Sequence, residues 1–115
     1  GHPFGDLALV TVADIIKGKM RTSDIVARYG GDEIIIFMNN FTDHEKIHKR
    51  VNDIKEEISS TIISDGSNSL NVTASFGVFI KENTRMTLDE CIKKADANLY
   101  ISKKNGKNRA TISWS

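Results

Sequence analysis

The stretch Ile25-Val26-Ala27-Arg28-Tyr29-Gly30-Gly31-Asp32-Glu33-Ile34-Ile35-Ile36-Phe37-Met38 decides the fold. Two short runs rich in β-branched residues flank a Gly-Gly-Asp-Glu centre. Paired glycines supply the positive φ that a tight turn needs, so the pattern predicts a β-hairpin. The second run, from Ile34 to Met38, shows no apolar/polar alternation. A strand of that kind is covered on both faces, which places it centrally in a sheet. The adjacent carboxylates Asp32 and Glu33 have two readings. Glycine and aspartate are what a solvated hairpin turn prefers in any case. Alternatively, Gly30 and Gly31 let a phosphate-bearing ligand approach the backbone while the carboxylates hold a hard cation such as Mg²⁺. The turn alone leaves both open.

On the N-terminal side, apolar and helix-forming residues from Asp6 to about Lys17 predict a buried helix, capped by Asp6 and stopped at Gly18. On the C-terminal side, Thr42 to about Ser60 follows a helical period with Ile47, Val51, Ile54 and Ile58 on one stripe. Ser64 to Ser69 is a turn-forming loop. Leu70 to Ile80 reads as a strand in which Gly77 marks a bulge or a close backbone approach. Thr87 then caps a helix with Leu88, Cys91, Ile92, Ala95 and Leu99 on one face, ending near Lys103-Lys104-Asn105-Gly106. Ala110 to Trp114 forms a last short strand. Helix, hairpin, helix, strand, helix, strand makes an α/β (α+β) layer fold with helices covering a sheet.

The chain has 115 residues, 16 Lys+Arg against 15 Asp+Glu, 39% hydrophobic residues and one cysteine. These values suit one globular domain. A lone cysteine excludes a disulfide scaffold and points to the cytoplasm. No apolar run approaches the ~20 residues that span a bilayer, and the first residues do not form a signal peptide. Balanced charge argues against a general nucleic-acid partner, so an anionic ligand would be bound locally. His44-Glu45-Lys46-Ile47-His48 fits the H-E-x-x-H pattern of zinc proteases. Its histidines, however, flank an apolar stripe needed for packing, with no third ligand in view. Cys91, in a helix-core position, reads as a small buried hydrophobe.

Four motifs in order then resemble one family. Arg28-Tyr29-Gly30-Gly31-Asp32-Glu33-Ile34 is similar to the signature of GGDEF domains, the diguanylate cyclases, with isoleucine in place of the final phenylalanine. Gly1-His2-Pro3-Phe4-Gly5-Asp6 resembles the family's GH-x-x-GD segment, and Asn71-Val72-Thr73-Ala74-Ser75-Phe76-Gly77 its NVT-x-S-x-G strand. Ala95-Asp96-Ala97-Asn98-Leu99-Tyr100, with the residues up to Asn108, resembles its AD-x-ALY-x-AK-x-x-GRN helix. The resemblance implies a palm-like sheet flanked by helices, as in nucleotidyl cyclases, with the signature hairpin at the active site. It implies condensation of two GTP to cyclic di-GMP and two pyrophosphates, with Mg²⁺, or Mn²⁺ in its place.

By the same resemblance, Asp32 is metal ligand and proton acceptor and Glu33 a supporting carboxylate and metal ligand. Gly30 and Gly31 make room for phosphate. His2 and Asp6 lie on the guanine side, and Lys103 and Lys107 sit beside the β/γ phosphates. Lysine at 107 replaces the usual arginine, keeping the charge but losing the bidentate fork. Arg21-Thr22-Ser23-Asp24 matches the RxxD element of the inhibitory product site, whose additional arginine has Asp53 at the aligned position and Arg50 nearby. The lysines at 103, 104 and 107 and the carboxylates at 32 and 33 are expected to form two segregated charge clusters. One GTP per protomer implies a homodimer. Upstream sensor or receiver modules, sometimes membrane-anchored, usually precede such domains. A core strand and a D-x-D-x-FK-x-x-ND segment normally precede GH-x-x-GD and are not in this chain, so residues 1–115 are expected to be a partial domain whose sheet lacks a central strand.

Overall fold

The computed structural model describes residues 2–21, 23–30, 32–39, 43–82 and 85–115, apart from the side chains of 2–4 and 28–30. In chain order these form α1 (His2–Lys19), β1 (Ile25–Gly30), β2 (Glu33–Asn39), α2 (His44–Ser60), β3 (Ile63–Ser64), β4 (Ser69–Leu70), β5 (Ser75–Lys81), α3 (Leu88–Lys104) and β6 (Ala110–Trp114). The main sheet has the order β1-β2-β5-β6; β3 and β4 pair separately. As the hairpin pattern predicts, β1 and β2 run antiparallel, with a register shift between Arg28 and Gly30. β2 pairs directly and in parallel with β5 from Glu33↔Ser75 to Asn39↔Lys81, and β5 pairs in parallel with β6. The four-stranded sheet is therefore continuous among the described residues.

Strand side chains alternate between faces, so each central strand feeds two cores. Ile34, Ile36 and Met38 of β2 and Phe76, Val78 and Ile80 of β5 pack with Val12 and Ile16 of α1 and with Ile47, Val51, Ile54 and Ile58 of α2. The alternate residues Ile35, Phe37 and Phe79 pack beneath Cys91, Ala95 and Leu99 of α3. Ile34 to Met38 are all buried, in accord with the unbroken apolar run.

Several local expectations are corrected. The first helix begins at His2, so Asp6 lies within it rather than capping it, and it passes through Gly18 to Lys19. Gly18 has open space around it and helical backbone; glycine weakens a helix interior by about 1 kcal/mol without necessarily ending it. Nor is α1 a buried helix: Val12 and Ile16 are buried, but Val10 is 57% exposed. α2 starts at His44 with Asp43 as its cap, accepting from the Lys46 N–H at 3.1 Å; the expected start, Thr42, lies outside the described residues. The strand expected over Leu70–Ile80 is broken at 71–74, where Asn71 donates to the carbonyls of Ser59 and Thr61 at the end of α2. Thr87 does cap α3, with Glu90 completing a capping box, but Leu88 is 49% exposed and faces away from the core. Gly77 is not a bulge, since its register is unbroken on both sides. It is a close approach: a Cβ there would lie 2.0 Å from the Ala95 carbonyl oxygen and 2.3 Å from the Leu99 nitrogen.

Candidate active site

The end of the sheet at which β2 and β5 begin brings together several of the residues singled out in the sequence. Asp32, in the β1–β2 turn, is exposed, and Glu33, the first residue of β2, is half-buried. The turn is tied to β5, because the Ser75 N–H donates to the Asp32 carbonyl at 2.8 Å. From the other face, α3 delivers Lys103, whose ammonium forms an ion pair with Glu33. The hydrogen bond and charge of Glu33, and then the charges of Asp32 and Asp96, hold the Lys103 ammonium above the usual lysine range. The expected segregation of lysines from carboxylates is thus corrected. The two clusters meet, because α3 ends directly over the start of β2.

Beyond α3 the chain turns sharply through Gly106 (φ 119°), Lys107 (φ 63°) and Asn108 (φ 48°). Non-glycine residues with positive φ are uncommon and persist where surrounding bonds fix them. Here the Lys107 N–H donates to the Ser102 carbonyl at 3.0 Å, and the Asn108 N–H to Ser75 Oγ at 3.1 Å. Arg109 Nε donates to the Lys107 carbonyl at 3.1 Å, and the Phe76 N–H to the Arg109 carbonyl at 2.9 Å. Lys103 and Lys107 therefore flank the same end of the sheet as Asp32 and Glu33. Gly30 closes β1 opposite Glu33. Gly31 and the side chain of His2 lie outside the described residues. Asp6 is exposed on α1, which packs on α2 and β3, and no described contact brings it to the turn.

Asp32 and Glu33 offer adjacent hard oxygen donors. That set suits Mg²⁺, which takes one or two carboxylates together with water and substrate phosphates. Among the described residues there is no group of three or more His, Cys, Asp or Glu placed to hold a metal. Within the H-E-x-x-H pattern, His44 is engaged outside the motif: its Nε2 lies 2.5 Å from Glu82 Oε1, and its ring centroid 4.0 Å from that of Trp114.

Arg21 and Asp24 lie at the opposite end of the hairpin, ~17 Å of strand from the turn. Arg21 donates to Asp24 from its backbone N–H at 2.8 Å and from Nε and Nη2 at 3.2 and 3.0 Å; Nη2 also reaches the Asn39 carbonyl. The pair borders a groove of about 630 Å³ lined also by Ala13, Ile16, Met20 and Val26. Asp53 forms an ion pair with Lys49 at 2.9 Å.

Lys103 of α3 meets the carboxylate turn at one end of the sheet, and comparison with known proteins gives the fold a family. Residues 1–109 match the family "Diguanylate cyclase, GGDEF domain", and the chain belongs to that family. It is 40% identical to diguanylate cyclase A of Treponema denticola, over 98% of this chain and 30% of that protein. It is 31% identical to the response regulator PleD of Caulobacter vibrioides, over 94% of this chain and 24% of that protein. Among solved structures, the GGDEF domain of DgcB from Caulobacter crescentus in complex with c-di-GMP superposes with a TM-score of 0.76. It is 27% identical, over 97% of this chain and 66% of that one. The chain thus spans under a third of the curated relatives cited.

Sequence motifs single out the turn and the lysines but not what holds them. Ser75 and Asn108, which link the turn to the loop after α3, are given no role by the sequence. The one signal for each was its place in a motif, Ser75 in the NVT-x-S-x-G strand and Asn108 at the end of the AD-x-ALY-x-AK-x-x-GRN helix.

Proposed function

We propose that this chain is the main part of a diguanylate cyclase catalytic domain, joining two GTP molecules into cyclic di-GMP. In each half-reaction a ribose 3′-oxygen bonds to the α-phosphorus of the other nucleotide, pyrophosphate leaves, and the 3′-hydroxyl proton passes to the Asp32 carboxylate. Glu33 supports the same cation as Asp32, while Lys103 and Lys107 balance the charge on the departing pyrophosphate. Gly30 and Gly31 give the phosphates room, and His2 and Asp6 serve the guanine. Asp32 and Glu33 would hold Mg²⁺ or Mn²⁺, which would supply electrostatic stabilisation of the attacking and leaving oxygens. With one GTP per protomer, the working unit is a two-fold homodimer. The observation that carries this reading is the meeting of the Asp32–Glu33 turn with the Lys103–Lys107 segment at one end of the sheet.

The test is product formation by the full-length parent protein with GTP and Mg²⁺. Cyclic di-GMP and pyrophosphate should appear in a 1:2 ratio, and Asp32→Ala should lower the rate about 100-fold or more, as for loss of a general base. The 115-residue chain alone should make no product. A second reading draws on the groove beside Arg21 and Asp24. There cyclic di-GMP would bind as inhibitory product or, in a domain without turnover, as a sensed ligand. An inactive parent protein that binds cyclic di-GMP, and loses it on Arg21→Ala, would replace the enzyme by this receptor.

A further inference from the structure

Ser75 is 3% exposed, one of few polar residues buried among the described ones. As the first residue of β5 it stands opposite Glu33 in the register. Its N–H donates to the Asp32 carbonyl at 2.8 Å, and its Oγ accepts from the Asn108 N–H at 3.1 Å. One residue therefore touches both halves of the site, the carboxylate turn through its backbone and the lysine loop through its side chain. Asn108 is held at φ 48° next to Lys107 at φ 63°. Both lie in the left-handed region, which asparagine adopts more readily than lysine, so the bonds around the turn choose among its conformations. The other bonds of the segment anchor Lys107 to Ser102 and Arg109 to Phe76; the bond to Ser75 is the one that references Asn108 to the Asp32 turn.

We propose that Ser75 is a positioning residue that sets the spacing between the Asp32–Glu33 turn and the Lys107 loop, and so selects for a nucleotide carrying β- and γ-phosphates. The selectivity rests on the nucleotide reading above; the spacing rests on the hydrogen bonds alone. A buried donor or acceptor left without its partner costs more than an exposed one, so the hydroxyl at position 75 has a defined consequence.

The experiment compares the parent protein with its Ser75→Ala, Ser75→Thr and Ser75→Ala/Asn108→Gly variants, by amide exchange and by titration with GTP and GMP in the presence of Mg²⁺. Ser75→Ala should speed exchange at Asn108 roughly fivefold or more and weaken GTP by about five- to tenfold, the scale of one lost hydrogen bond. GMP binding and exchange at Val78 and Ile80 should stay unchanged. Ser75→Thr should keep most GTP affinity. The double variant should weaken GTP at least as much as Ser75→Ala, because glycine at 108 adds backbone freedom while the brace is gone. Should Ser75→Ala not fold, Ser75→Cys preserves the volume and weakens the acceptor for the same contrast. Unchanged exchange at Asn108, or equal weakening of GTP and GMP with faster exchange at Val78 and Ile80, would overturn the positioning role. If the unsubstituted parent protein binds neither nucleotide while Ser75→Ala still speeds Asn108 exchange, the nucleotide reading and the selectivity fall and the brace stands.

Discussion

Helices α1 and α3 cover opposite faces of one sheet by different means. α1 contributes two buried side chains, Val12 and Ile16, and leaves Val10 exposed; it leans on α2 and β3. α3 is seated on backbone. Gly77 lets the Ala95 carbonyl and the Leu99 nitrogen approach the strand directly. Two buried polar groups fasten it: Asn98 Nδ2 donates to the Val78 carbonyl and to Ser113 Oγ, both at 2.8 Å. Ser102 Oγ donates to the Phe76 carbonyl at 2.8 Å and lies 2.7 Å from Thr111 Oγ1. An apolar stripe tolerates small slides, whereas directional bonds in a dry interface fix one register. The helix with the single seat is the one that carries Lys103 to Glu33.

The strongest challenge to this contrast is Gly77→Ala. The added methyl has no space against main-chain atoms, so the variant should lose about 3 kcal/mol in urea denaturation. A loss under about 1 kcal/mol would show that α3 can shift at little cost. Next is Val12→Ala on the other helix, expected to cost about 1–2 kcal/mol while leaving amide protection in α3 unchanged. Loss of protection across α3 would mean that the two helices are not independently seated. The smallest effect concerns the start of α3. There the Thr87 N–H and hydroxyl hold the Glu90 carboxyl below the usual carboxylate range. A carboxyl depressed in the folded state contributes stability above its ordinary value, and that contribution is lost as pH falls through the folded one. Protection factors in the first turn of α3, taken relative to the intrinsic exchange rate at each pH, should therefore fall between about pH 5 and about pH 3, a change that Glu90→Gln should remove.

Local signals were legible in the sequence, and partners distant in the chain were not. The hairpin, the α2 stripe and the Thr87 cap depend on residues within a few positions of one another. The family motifs likewise marked Asp32, Glu33 and Lys103. The misjudged start of α1 turned on Asp6, which is equally at home as a cap or inside a first turn. The break at 71–74 depends on Asn71 finding carbonyls at the end of α2, which no local pattern shows. Asn98 and Ser102 look like solvated helix residues until β5 supplies their acceptors. The contact of Lys103 with Glu33 joins positions 70 apart in sequence, and the link from Ser75 to Asn108 spans 33.

The seat of α3 also contains the chain's single cysteine. Cys91 is fully buried between α3 and the side chains of Ile35, Phe37 and Phe79, and burial pushes its thiol up, so little thiolate is present near neutral pH. A thiol reagent gains access when α3 lifts from the sheet or when the whole domain opens. The rate of alkylation at this one atom is therefore an intrinsic clock for detachment of the helix that bears Lys103, readable by mass alone and without any introduced label.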